Sequence, residues 1–307
     1  MGPTGLFDLT DVEGTREALR AFGEAPKNST VAAEEHLTTG IAGSSVPIHL
    51  LRPATPRGPL PVLLWFHGGG QVLGYAAQDD FWLMPLCETL GCAVASVEYR
   101  LAPETPAPGA AEDGLTAYQW LLDQAEALKL DPTRIGIAGQ SGGGGIAAAT
   151  TLLIRDRGLT TPLFQSLLYP MLDDRNTTTS SNEITDIGIW DRGTNILAWQ
   201  AILGDATGQE VSQYAAPARA TDLSGLPPTF MAVGELDLFR DEDLDYAHRL
   251  LTRGVPVDLH LYSGAYHAFD LFAPTARVSR SLRQTWSSDL DRRFEGGLDR
   301  GRELRSA

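Results

Sequence analysis

Gly139-Gln140-Ser141-Gly142-Gly143 is the stretch on which the fold turns, with the apolar run 135–138 before it and Ile146-Ala147-Ala148-Ala149 after it. It fits the pattern G-x-S-x-G in the context that gives the pattern meaning, a strand before and a helix-forming run after. A serine on so sharp a strand-to-helix turn is strained, and small neighbours let its hydroxyl stand clear of a sheet. A phosphate-binding turn is the weaker reading. Gly136, Gly139 and Gly142 give G-x-x-G-x-x-G rather than the dinucleotide fingerprint, and no lysine follows as a phosphate loop requires. The pentapeptide alone also suits an ordinary glycine-rich turn, so its surroundings must decide.

Working outward, continuous apolar runs recur at 62–66, 93–97, 163–169 and 229–233. Runs of this kind suit strands buried on both faces of a parallel sheet. Helical patterns lie between them at 81–90, 110–128, 146–156 and 242–251, so the chain predicts an α/β fold. Upstream, Val46, Ile48 and Leu50 alternate with Pro47 and His49, which predicts a half-exposed edge strand because proline is tolerated there. Residues 12–22 form an amphipathic stretch with Leu19 and Phe22 on one helical face, followed by loop signals at 26–29. About fifty residues (173–223), rich in Thr, Ser and Asn and carrying Trp190 and Trp199, are too long for an ordinary connection. They are expected to be an insertion over one end of the sheet within a single domain spanning 1–307. The charged tail 292–307 reads either as a helix end or as disorder.

The chain has 307 residues, and 24 Lys+Arg against 39 Asp+Glu leave a net charge of −15. That sign repels phosphate backbones and anionic lipid, which argues against nucleic-acid and membrane partners. Two cysteines, Cys87 and Cys92, make neither a disulfide framework nor a metal quartet and read as buried hydrophobes in a reducing compartment. With no leader pattern at the N-terminus and no run of about 18 apolar residues, the expected location is the cytoplasm. No metal-ligand spacing stands out.

His67-Gly68-Gly69-Gly70 follows the run 62–66 directly, where backbone N–H donors of an oxyanion hole are placed in α/β-hydrolases. Fixed donors stabilise charge on the carbonyl oxygen of a tetrahedral intermediate, and glycines allow close approach. A serine nucleophile also needs a base and an acid, in the order Ser, Asp/Glu, His. Asp237 follows the run 229–233, and His267 follows an apolar segment at 257–262, so both are expected at strand C-terminal ends, where open α/β sheets bind ligands. Their competitors are weaker. Glu235, Asp241 and Asp243 lie near a helix start where acids often only cap. His248 reads as a solvated helix residue, His260 sits inside the last strand, and His36 and His49 lie upstream of the serine.

With these residues assembled, the chain resembles the hormone-sensitive lipase-like esterases, the bacterial family IV branch of the α/β-hydrolases, over about residues 61–272. The resemblance rests on His67 to Gly70, Tyr99-Arg100-Leu101-Ala102-Pro103-Glu104, Gly139 to Gly143, Asp237-Leu238-Phe239-Arg240-Asp241-Glu242 and His267-Ala268-Phe269. It implies an eight-stranded, mostly parallel sheet and a helical cap made from about residues 1–40 and 173–223. It also implies serine hydrolysis of short-acyl carboxylic esters without a cofactor, and oxyanion donors at Gly69, Gly70 and Gly142. The sequence departs from the family at Gln140, where an acid is common, at Gly142, where alanine is common, and at Gln71, where an aromatic is common. An alanine at 142 is expected to be compatible, since only the backbone N–H is needed. Gln71, Gln140, Trp190 and Trp199 are candidate pocket residues, the tryptophans reading rather as cap core. Arg100 and Glu104 form a candidate ion pair, and Asp113 a structural carboxylate. The expected enzyme is a serine carboxylesterase acting on a small-molecule ester, as a monomer or homodimer. An amidase, carbamate hydrolase or lactonase with the same triad is the alternative. A non-catalytic receptor on the same scaffold is disfavoured because all three triad candidates are present.

Overall fold

The apolar runs become the centre of one eight-stranded sheet, ordered β1-β2-β4-β3-β5-β6-β7-β8. The computed structural model describes residues 7–21, 30–40, 43–56, 58–185, 189–206 and 210–296. Its strands are β1 (Val31–Thr39), β2 (Ser45–Pro53), β3 (Leu60–Phe66), β4 (Ala93–Val97), β5 (Leu130–Gln140), β6 (Gln165–Leu168), β7 (Thr229–Leu236) and β8 (Val257–Tyr266). The β1–β2 and β2–β4 pairs are antiparallel, and the pairings from β4 across to β8 are parallel. The fold is therefore α/β, with a mostly parallel sheet.

Strand alternation divides the core into two layers. Val62, Leu64 and Phe66 of β3 pack with α3 (Gly109–Asp123), α4 (Gly142–Asp156) and α7 (Arg240–Thr252). Leu63 and Trp65 point to the other face, against α2 (Asp80–Leu90) and α9 (Arg277–Phe294). The free thiols Cys87 and Cys92 are buried on that second face. No helix of the described residues is long and apolar enough to cross a membrane.

A third apolar cluster sits over the C-terminal edge of the parallel strands. It joins Leu9, from just before α1 (Val12–Arg20), to Ile184, Trp190 and Trp199 of the insertion and to Leu238 and Phe239 after β7. The insertion contributes α5 (Thr179–Glu183) and α6 (Arg192–Leu203), and α8 (Phe269–Phe272) follows β8. Helix α1 is capped by Asp11, whose side chain accepts from the Gly14 N–H. Phe22, the loop signals at 26–29 and the tail beyond residue 296 lie outside the described residues, whereas residues 292–294 do close α9.

One strand differs from expectation. β2 is not an edge: β1 flanks it on one side and β4 on the other. Its proline is tolerated because pairing with β4 begins only at Ile48, one residue later, while the Pro47 carbonyl still accepts from the Glu98 N–H. The internal position also buries His49, which hydrogen-bonds Asp80 at 2.9 Å and Glu35 on β1. Burial opposes the charged imidazolium, but the bonds to Asp80 and Glu35 outweigh it and push the pKa up to about 9.

Candidate active site

Four strands end on the same edge, and the residue following each is one singled out from the sequence: His67 after β3, Ser141 after β5, Asp237 after β7 and His267 after β8. Parallel strands bring these ends together although up to 200 positions separate them. Ser141 has φ 54° and ψ −124°, a strained turn for a non-glycine residue. The turn is held by the Ser141 N–H on the Leu168 carbonyl at 2.9 Å, and by the N–H groups of Gly145 and Met171 on the Ser141 carbonyl.

Ser141 Oγ lies 2.9 Å from His267 Nε2, and His267 Nδ1 lies 2.9 Å from Asp237 Oδ2. All three are buried. A carboxylate only accepts, so Nδ1 carries the proton and Nε2 is left to accept from the serine hydroxyl. The other Asp237 oxygen accepts from the Phe239 N–H at 3.0 Å. Tyr169 and Phe239 stand edge-on to the imidazole, each 5.1 Å between centroids, and hold its plane. Such a chain can deprotonate the serine as it attacks a carbonyl carbon and return the proton to the leaving group.

The competing acids Glu235 and Asp241 are engaged elsewhere. Glu235 accepts from Ser263 and the Gly264 N–H, and Asp241 accepts from the Ser180 N–H. Glu242 accepts from the N–H groups of Leu172 and Asp173 at 2.8 and 3.1 Å, anchoring the chain that leaves β6. Asp243 is fully buried, and burial raises its carboxyl well above the usual range. His248 is exposed on α7, and His260 of β8 stacks on Phe230 of β7.

Facing the serine, the loop after β3 is turned by the N–H groups of Val72 and Leu73 on the Gly69 carbonyl. No acceptor among the described residues takes the Gly69 or Gly70 N–H. Gly142 opens α4, where the first N–H groups of a helix have no internal partner. Tyr99 secures the loop from behind, donating to the His67 carbonyl at 2.8 Å and stacking on the imidazole. Burial pushes the His67 pKa down to about 4, so its ring is neutral.

At Gly142 the structure corrects the sequence reading. A β-carbon there would stand 2.6 Å from the Gln71 backbone N and 2.8 Å from the Gly70 Cα. The glycine loop lies so close to the serine turn that space, not backbone angle, excludes alanine. The departure at Gln140 also has a physical reason. Its Nε2 donates to both oxygens of buried Asp79 at 3.0 Å, and an acid there would set two carboxylates face to face. Burial pushes the Asp79 pKa up to about 6 despite these bonds and one from Trp65.

Ser141 and His267 open into a cavity of about 800 Å³, within the range of small-molecule sites. Its walls are mainly apolar, with Leu73, Phe81 and Leu271 from the core side and Phe7, Leu19 and Trp190 from the N-terminal and insertion segments. Gln140 lines it as well. Trp199 does not; it packs in the third cluster. Gln71 also falls outside it, facing a small void between Ala107, Ile146 and Tyr214 near the start of α4. Its carbonyl accepts from the Ala102 N–H, which ties the glycine loop to the 99–104 segment.

The expected Arg100–Glu104 pair does not form. Arg100 binds buried Asp113 bidentately at 2.8–3.0 Å, because α3 brings that carboxylate beneath the segment. Glu104 turns outward to Arg16 of α1, at 2.7 Å. Arg16 also donates to the carbonyls of Val72 and Ala102 at 2.9 and 2.8 Å, so one side chain pins α1 to the loops around the site. Sequence reasoning missed it. Its only signal is a charged residue on an amphipathic stretch, three positions before Leu19. Asp79 and Tyr169 were missed likewise.

Comparison with known proteins agrees with this architecture. A family model of the α/β-hydrolase fold matches residues 63–271. The carboxylesterase NlhH of Mycobacterium tuberculosis is 35% identical over 280 residues, which cover 88% of this chain and 86% of that protein. An ethyl acetate hydrolase of Pseudomonas putida is 31% identical over 263 residues, 82% of each chain. Among solved structures, a bacterial heroin esterase is 40% identical with a TM-score of 0.90, covering 96% of this chain and 94% of that one.

Proposed function

The chain belongs to the α/β-hydrolase family, in its hormone-sensitive lipase-like branch, and from that premise we propose how its residues carry out ester hydrolysis. Its relatives named above are esterases, and the chain is a carboxylic ester hydrolase. Ser141 attacks the acyl carbonyl while His267 takes its proton and passes it to the departing alkoxide. Asp237 holds the imidazole in the tautomer with Nδ1–H and offsets the imidazolium charge. The N–H groups of Gly69, Gly70 and Gly142 receive the oxyanion. Water then cleaves the acyl-enzyme, with His267 again as base.

The observation that carries this reading is the hydrogen-bonded chain Ser141–His267–Asp237, at 2.9 Å in both links, opening into the cavity beside the glycine loop. The cavity favours small esters: the N-terminal segment and the insertion line it alongside the sheet edge, and its walls are apolar. Short acyl chains of about two to eight carbons are the expected substrates, by likeness to the family, and the buried free thiols Cys87 and Cys92 suit a cytoplasmic enzyme. Hydrolysis of dissolved p-nitrophenyl esters from acetyl to palmitoyl tests the proposal. The expected profile peaks at short chains, with no rise in rate when substrate forms micelles. Faster turnover of emulsified long-chain triglyceride than of dissolved butyrate ester would refute it.

A further inference from the structure

Gly70 is confined from two sides. The serine turn lies on one, where a β-carbon on Gly142 would stand 2.8 Å from the Gly70 Cα. An indole from the insertion lies on the other: a β-carbon on Gly70 would stand 2.3 Å from Cη2 and 2.7 Å from Cζ2 of Trp190. At φ 61°, Gly70 already occupies a conformation that suits glycine alone. The outer edge of the Trp190 ring thus fills the volume a side chain at position 70 would take.

The ring is held through its nitrogen. Trp190 is 2% exposed, and its Nε1 donates to Asn195 Oδ1 at 3.0 Å. Asn195, fully buried in the first turn of α6, donates in turn to Asn176 Oδ1 at 2.6 Å. Asp191, between the indole and the helix, caps α6 by accepting from the Thr194 N–H at 2.8 Å. A buried indole N–H needs an acceptor in any role, but this acceptor is itself buried and hydrogen-bonded, so it fixes the ring as well as satisfying it. Here hydrogen bonds set the orientation of the ring that meets the glycine loop.

We propose that Trp190 is a positioning residue for the oxyanion hole: the insertion seats its indole on Gly70 and thereby sets where the Gly70 N–H points. The proposal rests on the esterase reading above. A donor stabilises the transition state best when it need not move as charge develops. Loosening Gly70 therefore weakens binding of the transition state more than binding of the ester. Losing one oxyanion donor typically costs about 10²–10³ in kcat, so a loosened one should cost about 10–100-fold.

The test compares full-length wild type, Trp190→Leu, Trp190→Phe and Asn195→Ala. Steady-state hydrolysis of p-nitrophenyl butyrate is normalised to sites titrated with a fluorophosphonate. Inhibition is measured with an alkyl trifluoromethyl ketone, which forms a tetrahedral adduct, and with the matching secondary alcohol, which cannot. The expected result is a fall in kcat per titrated site, largest in Trp190→Leu, and an equal fall in ketone affinity. KM and alcohol affinity should change by less than about threefold. Unchanged kcat per titrated site, or a rise in KM alone with the ketone-to-alcohol affinity ratio constant, would overturn the proposal and leave Trp190 a packing or substrate contact. If Trp190→Leu does not fold, Trp190→Phe and Asn195→Ala carry the test with the same readouts. Failure of the wild type to react with the fluorophosphonate would instead bring down the esterase reading.

Discussion

The two walls of the cavity are built in different ways. On the sheet side, His67, Ser141, Asp237 and His267 are each the first residue after a strand of the sheet, so backbone pairing fixes their relative positions. On the other side, α1 and the insertion reach the site through single side chains: Arg16 on the carbonyls of Val72 and Ala102, and Trp190 against Gly70. The contrast separates chemistry from its adjustment. The groups proposed to react sit where the fold has least freedom, and the elements that shape the space around them are held by a few replaceable contacts.

On that division, the largest losses come from the sheet side. Ser141→Ala and His267→Ala should each lower kcat by on the order of 10⁶, because triad members act as a unit. Asp237→Asn should cost about 10⁴ by favouring the wrong imidazole tautomer. Near-normal turnover in Asp237→Asn combined with a dead Glu235→Gln or Asp241→Asn would move the acid elsewhere. Gly142→Ala comes next and lies where the two walls meet. The added methyl must displace Gly70 and Gln71, so kcat should fall by about 10²–10³ in a folded protein. A loss below tenfold would mean that the loop yields readily.

Effects on the other wall should be smaller and appear mainly as stability. Arg16→Met removes buried hydrogen bonds to two carbonyls and should cost about 1–3 kcal/mol, read by urea denaturation, with kcat changed by less than about tenfold. Glu104 is mostly exposed, so Glu104→Gln should cost at most about 1 kcal/mol. Equal costs for the two would show that the ion pair, not the carbonyl contacts, holds α1. The remaining effect lies away from both walls. The pKa of His49 is raised to about 9, so its contribution to stability is complete below about pH 6.5 and is lost as pH rises through about 9. His49→Gln should flatten the alkaline fall in Tm. An unchanged slope would assign that fall to other groups.

The sheet side was also the legible side. Strands buried on both faces appear as continuous apolar runs, so the runs 62–66, 135–138 and 229–233 announce the strand and place the site residue within about four positions of its end. What stayed hidden depends on distance and direction. Arg16 and Val72 are 56 positions apart, and nothing local marks their contact. Gln71 was read as a pocket residue from its place after the glycines, yet the turn at φ 60° sends it toward α4. Gly142 was read as free to become alanine because its own helical context permits it, whereas the obstacle is the backbone of another loop. β2 was read as an edge because proline marks edges, but β4 pairs only beyond that proline.

We propose that a serine at a strand end, activated by residues at two other strand ends, performs the chemistry. Reacting the full-length protein with a fluorophosphonate and mapping the adduct by mass spectrometry tests it most directly. One adduct per chain is expected, on Ser141, with labelling abolished in Ser141→Ala and strongly slowed in His267→Ala. An adduct on another residue, or esterase activity that survives in Ser141→Ala, would contradict it.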